Sequence, residues 1–185
     1  MKEAIALSRF TPLLHPCLTF LVTAVDQAGK ANIITIAWLT PLSVEPPLVG
    51  VSVRPSRYSY DLIRSCGEFV VNVAPYEIAR QALLCGRRSG REVDKLEATG
   101  LTPRAAKRVR PPILEECLAH IECKVVREVE CGDHVLFIGE VLAASARTDV
   151  LDPGGSYDLA RVRPLLHLGG DSFTTTQAES VEPGM

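Results

Sequence analysis

The sequence predicts a mainly β fold: an antiparallel, Greek-key-like sheet that forms a closed or split barrel, with short helices at its rim. Short apolar stretches rich in β-branched residues recur between turn signals, which favours about six or seven strands. The segments between them are too short for the crossover helices of a parallel sheet. At 185 residues the chain is long enough to bury a core without disulfide bonds.

The first three strands follow from β-branched runs and the turn residues beside them. Residues 18–25 predict the first strand, which ends at the turn signal of residues 26–29. Residues 31–39 predict the second strand, so that the two form a hairpin. Residues 48–53, enclosed by prolines, predict the third.

Helices and strands alternate in the middle of the chain. Residues 56–65 predict a helix, because Tyr58, Leu62 and Ile63 share one face at helical spacing. Residues 68–74 predict a strand, and Pro75 suits the first position of a second helix. Residues 87–117 are expected to be irregular.

The last part of the chain predicts more antiparallel sheet. Residues 119–130 and 134–146 predict a hairpin around a glycine turn, and residues 161–168 predict a final strand. We therefore expect one domain over residues 1–170 and a polar C-terminal tail over residues 171–185.

Composition narrows the class of protein. The net charge of −2 gives no general attraction to nucleic acid or to an anionic membrane. The apolar runs are too short for a membrane span, and the N-terminus lacks the layout of a signal peptide. We expect a cytoplasmic protein whose six cysteines are reduced, mostly buried thiols. Their spacing does not suggest a metal site.

One segment has a much more positive charge than the chain as a whole. Residues 87–110 carry eight basic and three acidic side chains, a net of +5 (8 − 3). The segment is either a binding surface for the NADPH phosphate or an acidic partner, or a solvated loop, and the second interpretation is slightly favoured. Nucleic acid is not expected, because no aromatic residue lies among the charges.

The stretch SVRPSRYSYDLI, residues 52–63, concentrates arginines and hydroxyl groups where a strand gives way to a helix. Positive charge at a helix N-terminus is unfavourable unless an anion binds there. Two arginines with serine hydroxyls suit a phosphate, whereas the alternative is a solvated helix start capped by Ser56 or Ser59. Upstream, the small Ala37 would let a flat ring approach the backbone beside Trp38, although Trp38 taken by itself favours a core or interface anchor.

Five short motifs occur in a fixed order around this stretch. They are N-x-x-T-x-A-W at 32–38, PP at 46–47, S-V-R-P-x-R-Y-S at 52–59, G-E-F-V-V-N at 67–72 and C-G-x-x-S-G-R-x-x-D-K at 85–95. Together they resemble the flavin reductase-like family with an FMN-binding split β-barrel, close to the flavoredoxins. The likeness extends over most of residues 12–168.

The resemblance implies one non-covalent FMN per subunit, in a groove at the interface of a homodimer. It implies that the isoalloxazine is lined by Thr35, Ile36, Ala37 and Trp38, and the ribityl chain by Ser52, Val53 and Arg54. It implies that the phosphate is held by Arg57, Tyr58 and Ser59, under a loop that contributes Cys85, Gly86, Ser89 and Gly90. Asp94 and Lys95 match the family motif without an assigned contact, and Phe173 is a candidate for an aromatic position near the end.

The resemblance also implies the chemistry. Hydride would pass from NADH or NADPH to FMN, and electrons would pass on to a small-molecule or protein acceptor, so no catalytic side chain is expected. One alternative is a flavoredoxin-type electron carrier for a protein partner, and another is a dimeric binding protein that has lost the flavin. His167 is expected to be an ordinary hydrogen-bonded histidine rather than a flavin contact. No site role is expected of His15, His120 or His134.

Overall fold

The computed structural model describes residues 2–179. Its strands are β1 (Cys17–Leu18), β2 (Phe20–Val25), β3 (Ala31–Ile36), β4 (Leu39–Ser43), β5 (Leu48–Val53), β6 (Glu68–Val73), β7 (Pro103–Arg104), β8 (Ile113–Leu114), β9 (Ala119–Cys131), β10 (His134–Ala146), β11 (Leu165–Gly169) and β12 (Ser172–Thr175). Its helices are α1 (Tyr58–Cys66), α2 (Ala79–Arg87) and α3 (Lys95–Thr99), with 3-10 turns at Leu7–Arg9, Thr11–Leu14 and Tyr76–Ile78.

Seven strands form one antiparallel sheet in the order β3-β2-β6-β9-β10-β5-β4. Its two edge strands, β3 and β4, are joined by only Ala37 and Trp38. Because two residues span only about 7 Å, the sheet must curl until its edges approach each other. The predicted mainly β, antiparallel barrel is therefore confirmed.

The β9–β10 hairpin is the longest part of the sheet, and it turns at Gly132, whose φ of 65° suits a glycine. Its core-facing residues pack with β5 and β6 around Val51, Phe69 and Phe137, all fully buried. A second apolar cluster lies beneath α2 and includes Leu21, Ile33, Ala82 and Cys85. The second cluster fixes β3 and α2 relative to each other, because it contains residues of both.

The predicted second strand, residues 31–39, is wrong at its C-terminal end. The chain leaves β3 after Ile36, bends at Ala37 and Trp38, and enters β4, which the sequence analysis missed. β3 pairs with β2, whereas β4 pairs with β5. The bend is needed because the chain passes here from one edge of the sheet to the other.

The helices begin slightly later than expected. α1 has Arg57 at its N-cap without a side-chain cap, so neither Ser56 nor Ser59 caps it. The second helix starts as the 3-10 turn Tyr76–Ile78, because Pro75 itself is extended and forms a β-bridge with Pro164.

The segment expected to be irregular, residues 87–117, contains α3 and the strand pair β7–β8. Part of the expected tail also belongs to the fold, since β12 pairs with β11 and β11 with β1. Residues 180–185 of that tail lie outside the described residues.

The cysteine expectation holds only in part, because Cys85, Cys117 and Cys123 are buried while Cys131 is exposed. Within residues 2–179, no helix has the length and apolar character needed to cross a membrane.

Candidate functional site

A cleft of about 420 Å³ opens where β3, the bend after it, β5 and the start of α1 meet. Ala37, in the bend, lines the cleft, and its side chain is only a methyl group. Eight of the residues expected to hold the flavin ring and ribityl chain, or the phosphate, line this cleft: Thr35, Ile36, Ala37, Trp38, Ser52, Val53, Arg54 and Arg57.

A smaller pocket of about 160 Å³ adjoins the cleft, and we call it the polar pocket. The two cavities share Ile34, Arg57 and Gly86 in their walls, so they lie next to each other. The remaining six expected residues line the polar pocket: Tyr58, Ser59, Cys85, Gly86, Ser89 and Gly90. The structure thus brings all fourteen together, from three separate parts of the sequence.

The N-terminus of α1 gives the polar pocket its positive character. Its first N–H groups have no partner within the helix, and no side chain caps them. Arg57 stands beside them, and Arg88 lines the same pocket. Within residues 2–179, neither arginine forms an ion pair. Together these donors are suited to an anionic group.

Asn32 organises the floor of the polar pocket, although it was not among the residues predicted for the site. It is buried, and its Nδ2 donates a 2.7 Å hydrogen bond to Ser59 Oγ. Gly90 passes so close that a Cβ there would lie 2.0 Å from Asn32 Oδ1 and 2.9 Å from Tyr58 Cδ1. Only glycine fits at this position. The asparagine of the N-x-x-T-x-A-W motif was the available signal.

Lys95 supports the pocket from below. Its side chain is buried, and its Nζ donates 2.7 Å hydrogen bonds to the carbonyl oxygens of Ile33 and Cys85. Burial lowers the pKa of Lys95 to about 8, and the charge of nearby Arg57 acts in the same direction. Lys95 thus connects β3 to the end of α2. Asp94 braces the same loop by accepting hydrogen bonds from the N–H groups of Leu96 and Glu97 at the start of α3.

Cys85 faces this environment as a protonated thiol. Burial raises its pKa to about 11, although the charge of Lys95 opposes the shift. A thiol in this state is a poor nucleophile, so Cys85 packs in the pocket wall rather than reacting.

His134 lies on the opposite side of the cleft, against the expectation that it has no place in the site. Its ring lies 4.8 Å from that of Trp38, and its Nδ1 is 2.6 Å from Asp133 Oδ1. The hydrogen bond from His134 lowers the pKa of Asp133, and Arg54, bonded to it at 2.6 Å, acts in the same direction. The guanidinium of Arg54 is therefore directed toward the β9–β10 turn.

Two further histidines, His15 and His167, close the cleft at its third side, and strand pairing brings them together. β1 pairs with β11, which places His15 beside His167, with ring centroids 5.0 Å apart. His15 Nδ1 donates to the carbonyl oxygen of His167 at 2.9 Å. Both rings line the cleft, as do Thr11 and Pro12. No local motif signals this contact, because the two histidines are 152 residues apart.

Four of the eight basic residues of the basic segment form ion pairs within the chain. The pairs are Arg87 with Asp171, Arg91 with Asp61, Arg104 with Glu115 and Arg110 with Glu68. Lys95 is buried, as described above. The segment is therefore folded and partly neutralised, and only its first part, within residues 87–95, lines the polar pocket.

The fold and the site place the chain in a known class. Residues 15–176 match the family described as flavin reductase like domain, and the chain belongs to that family. An uncharacterised protein of Archaeoglobus fulgidus is 40% identical over 171 residues, which cover 92% of this chain and 94% of that protein.

Two solved structures are similar over nearly the whole chain. The FMN-binding protein of Thermus thermophilus, with bound 1-cyclohex-2-enone, has a TM-score of 0.88 at 27% identity and covers 99% of both chains. The flavoredoxin of Desulfovibrio vulgaris (Miyazaki F) has a TM-score of 0.87 at 27% identity, over 98% of this chain and 97% of its own.

Proposed function

We propose that this protein is an FMN-binding oxidoreductase of the flavin reductase type, which uses NADH or NADPH as the source of hydride. The observation that carries the proposal is the polar pocket. It presents uncapped helix N–H groups and Arg57 at the end of a larger cleft. An elongated ligand with one anionic end and one flat, largely apolar end matches both cavities, and FMN has that form.

The residues of the two cavities fit FMN in an ordered way. Arg57, Tyr58 and Ser59 would bind the phosphate, with Ser89 and Gly90 on the other side of the pocket. Ser52, Val53 and Arg54 would flank the ribityl chain. Thr35, Ile36, Ala37 and Trp38 would line the isoalloxazine, largely through backbone groups at the bend.

Bound FMN would supply the redox chemistry, by accepting hydride and releasing electrons to an acceptor. The chain's own groups bind and orient the cofactor and exclude water from it. No protein acid or base is required for hydride transfer itself, so no side chain is assigned a catalytic role. The acceptor is a small molecule or a protein. A flavoredoxin-type carrier is the second candidate, supported by the similarity to the flavoredoxin of Desulfovibrio vulgaris.

We also propose that the protein works as a homodimer with FMN near the interface. The N-terminal segment supports this, because it exposes Leu7 (88%), Leu13 (65%) and Leu14 (67%) beside cleft residues Thr11 and Pro12. A row of exposed large apolar side chains next to a site is typical of a protein interface. Free cysteines at all six positions suit a cytoplasmic location.

The first experiment measures the visible spectrum of the purified protein and identifies any released chromophore. We expect FMN close to one per chain. The phosphate assignment is then tested with Arg57→Ala. We expect this substitution to lower the affinity for FMN about 10- to 100-fold and to change the affinity for riboflavin little, since riboflavin has no phosphate.

The matched control is Arg64→Ala, at the other end of α1, where the arginine is exposed and pairs with Glu128. It should leave both affinities unchanged. Equal losses of FMN and riboflavin in Arg57→Ala would contradict the phosphate assignment. A colourless protein that does not take up added FMN would contradict the proposed function.

The two functional candidates are separated by steady-state oxidation of NADH and NADPH. Rapid turnover by the FMN-loaded protein supports the reductase. FMN binding without turnover of either nucleotide supports the electron carrier.

A further inference from the structure

The turn between β11 and β12 forms part of the cleft wall, and we call its residues 168–172 the glycine turn. Gly169 and Gly170 line the cleft, and both have a positive φ, of 110° and 59°. The pairing register shifts between His167 and Gly169, so the turn departs from a regular hairpin. Most other residues would be strained at such angles, so the shape of this wall depends on the two glycines.

The sheet does not hold the glycine turn itself in place. β12 is the edge strand of the sheet β1-β11-β12, and the pairing of β1 with β11 covers only Leu166 and His167, before the turn begins. Segments with few contacts are the first to open in a folded protein. Four of the five residues of the turn are exposed, namely Leu168, Gly170, Asp171 and Ser172.

One ion pair connects the glycine turn to α2. Nε of Arg87, the last residue of α2, donates a 2.5 Å hydrogen bond to Asp171 Oδ1, and its Nη2 contacts the same oxygen. Among residues 2–179, this is the only side-chain hydrogen bond between the glycine turn and a residue outside its own hairpin. The position of the turn relative to α2 therefore depends on this pair.

The ion pair crosses a gap beside the cleft. A cavity of about 170 Å³ lies between α2 and the glycine turn, and its wall includes Gly86, Arg87 and Gly170. Gly86 and Gly170 also line the cleft. If the turn moved away from α2, the cleft would therefore open on this side.

The exposure of the pair suits a contact that breaks and forms again. The side chain of Arg87 is 57% exposed and that of Asp171 is 62% exposed. Exposed ion pairs stabilise a fold only weakly, so breaking this one leaves the rest of the structure intact. Lys95 differs, because its buried Nζ joins α2 to β3 through two hydrogen bonds.

We propose that the Arg87–Asp171 ion pair is a latch that holds the glycine turn against α2 and thereby slows the release of flavin from the cleft. This inference rests on the proposed function, since it concerns the regulation of the same site. The latch would keep the flavin resident between turnovers, so that the electron acceptor has to reach the cleft to be reduced.

The test compares FMN release from wild type and from Asp171→Asn, which keeps the side-chain shape and removes the charge. Release is followed by the fluorescence of free FMN after rapid dilution of the loaded protein. We expect the rate to rise about two- to fivefold, as suits the loss of one exposed ion pair. Charge alone predicts the opposite, because Arg87 also lines the polar pocket and without its partner would attract the phosphate more strongly.

The matched control is Asp149→Asn, which removes another exposed ion pair, with Arg147 at 2.6 Å. Asp149 lines neither the cleft nor the polar pocket, so FMN release should be unchanged. Both variants should melt within about 4 °C of wild type, because each loses only a surface pair. A faster release in Asp171→Asn is then not a loss of folding.

A second measurement needs no flavin. Hydrogen exchange of the flavin-free protein, followed by mass spectrometry of peptides that cover the glycine turn, should be faster in Asp171→Asn and unchanged in Asp149→Asn. A failure to bind FMN, which contradicts the proposed function, is thereby distinguished from a failure of the latch. Unchanged or slower FMN release in Asp171→Asn, or unchanged exchange in the glycine turn, would overturn the proposal.

Discussion

Gly90 and Asn32 show how single residues decide the shape of the proposed phosphate site. Asn32 holds Ser59 in place through its amide group, and the loop at Gly90 closes over the asparagine. The backbone can approach this closely only because Gly90 has no Cβ. Side-chain volume at one position therefore determines whether the polar pocket exists.

Gly90→Ala should destabilise the protein by about 1–3 kcal/mol, because the new methyl group would overlap Asn32 and Tyr58. The matched control is Gly86→Ala in α2. Its Cβ would meet nothing closer than Thr35 Cβ at 3.4 Å, so alanine should be neutral or stabilise by up to about 1 kcal/mol. Urea denaturation of both variants measures the difference. A Gly90→Ala protein as stable as Gly86→Ala would contradict the packing described here.

Lys95 should make stability rise with pH. Its pKa is about 8 in the folded protein and 10.5 in its ordinary state, so between these values the unfolded chain binds more protons. In this window the free energy of unfolding rises by about 1 kcal/mol per pH unit because of this group alone. Below pH 8 both states are charged and the contribution no longer changes.

The raised pKa of Cys85, about 11, acts in the opposite direction above its ordinary value of 9.0, so the clearest window is pH 8–9. We expect the stability difference between wild type and Lys95→Met to move in favour of wild type across this window, as measured by urea denaturation. A difference that does not change with pH would show that Lys95 does not titrate there.

At the scale of elements, strand β9 anchors the basic segment to the sheet. The carboxylate of Glu122 is buried and accepts hydrogen bonds from the backbone N–H groups of Lys107, at 3.0 Å, and Arg108, at 2.6 Å. These bonds anchor an otherwise irregular stretch to the sheet. They explain why many basic residues can follow one another without forming a loose loop.

Glu122→Gln should lower the free energy of unfolding by about 1.5–3 kcal/mol, because hydrogen bonds to a charged acceptor are replaced by weaker ones to an amide. Trypsin should also cleave faster between residues 104 and 110. Glu128→Gln, on the same strand and paired with Arg64 at the surface, is the control and should change stability by less than about 1 kcal/mol. Similar losses in the two variants would contradict the anchoring role.

The individual strands and turns differ in how well the sequence could predict them. The β9–β10 hairpin and β5 were predictable, because alternating apolar residues and a local glycine turn determine them. The bend at Ala37 and Trp38 was not, because it follows from the passage between two sheet edges and not from any local turn signal. The fourteen site residues were gathered by motif resemblance. Asn32 and the cleft histidines are placed by contacts between distant strands.

For the whole molecule, the exposed N-terminal leucines predict dimerisation linked to flavin binding. Leu13→Glu should shift the protein toward monomer in sedimentation equilibrium, because a charge would be buried in the interface. It should also weaken FMN binding, since the same segment supplies Thr11 and Pro12 to the cleft. The control is Val126→Glu, an exposed apolar position on β9, which should leave both properties unchanged. A Leu13→Glu protein that remains dimeric would exclude this segment as the interface.

Trp38 has a consequence for how the protein can be observed. It is the only tryptophan of the chain, and it lies in the wall of the cleft against His134. Selective excitation of indole therefore gives an emission signal that comes from this wall alone, with no background from a second tryptophan. Quenching of that signal would follow the arrival of any ligand in the cleft in real time, without a label and in the native chain.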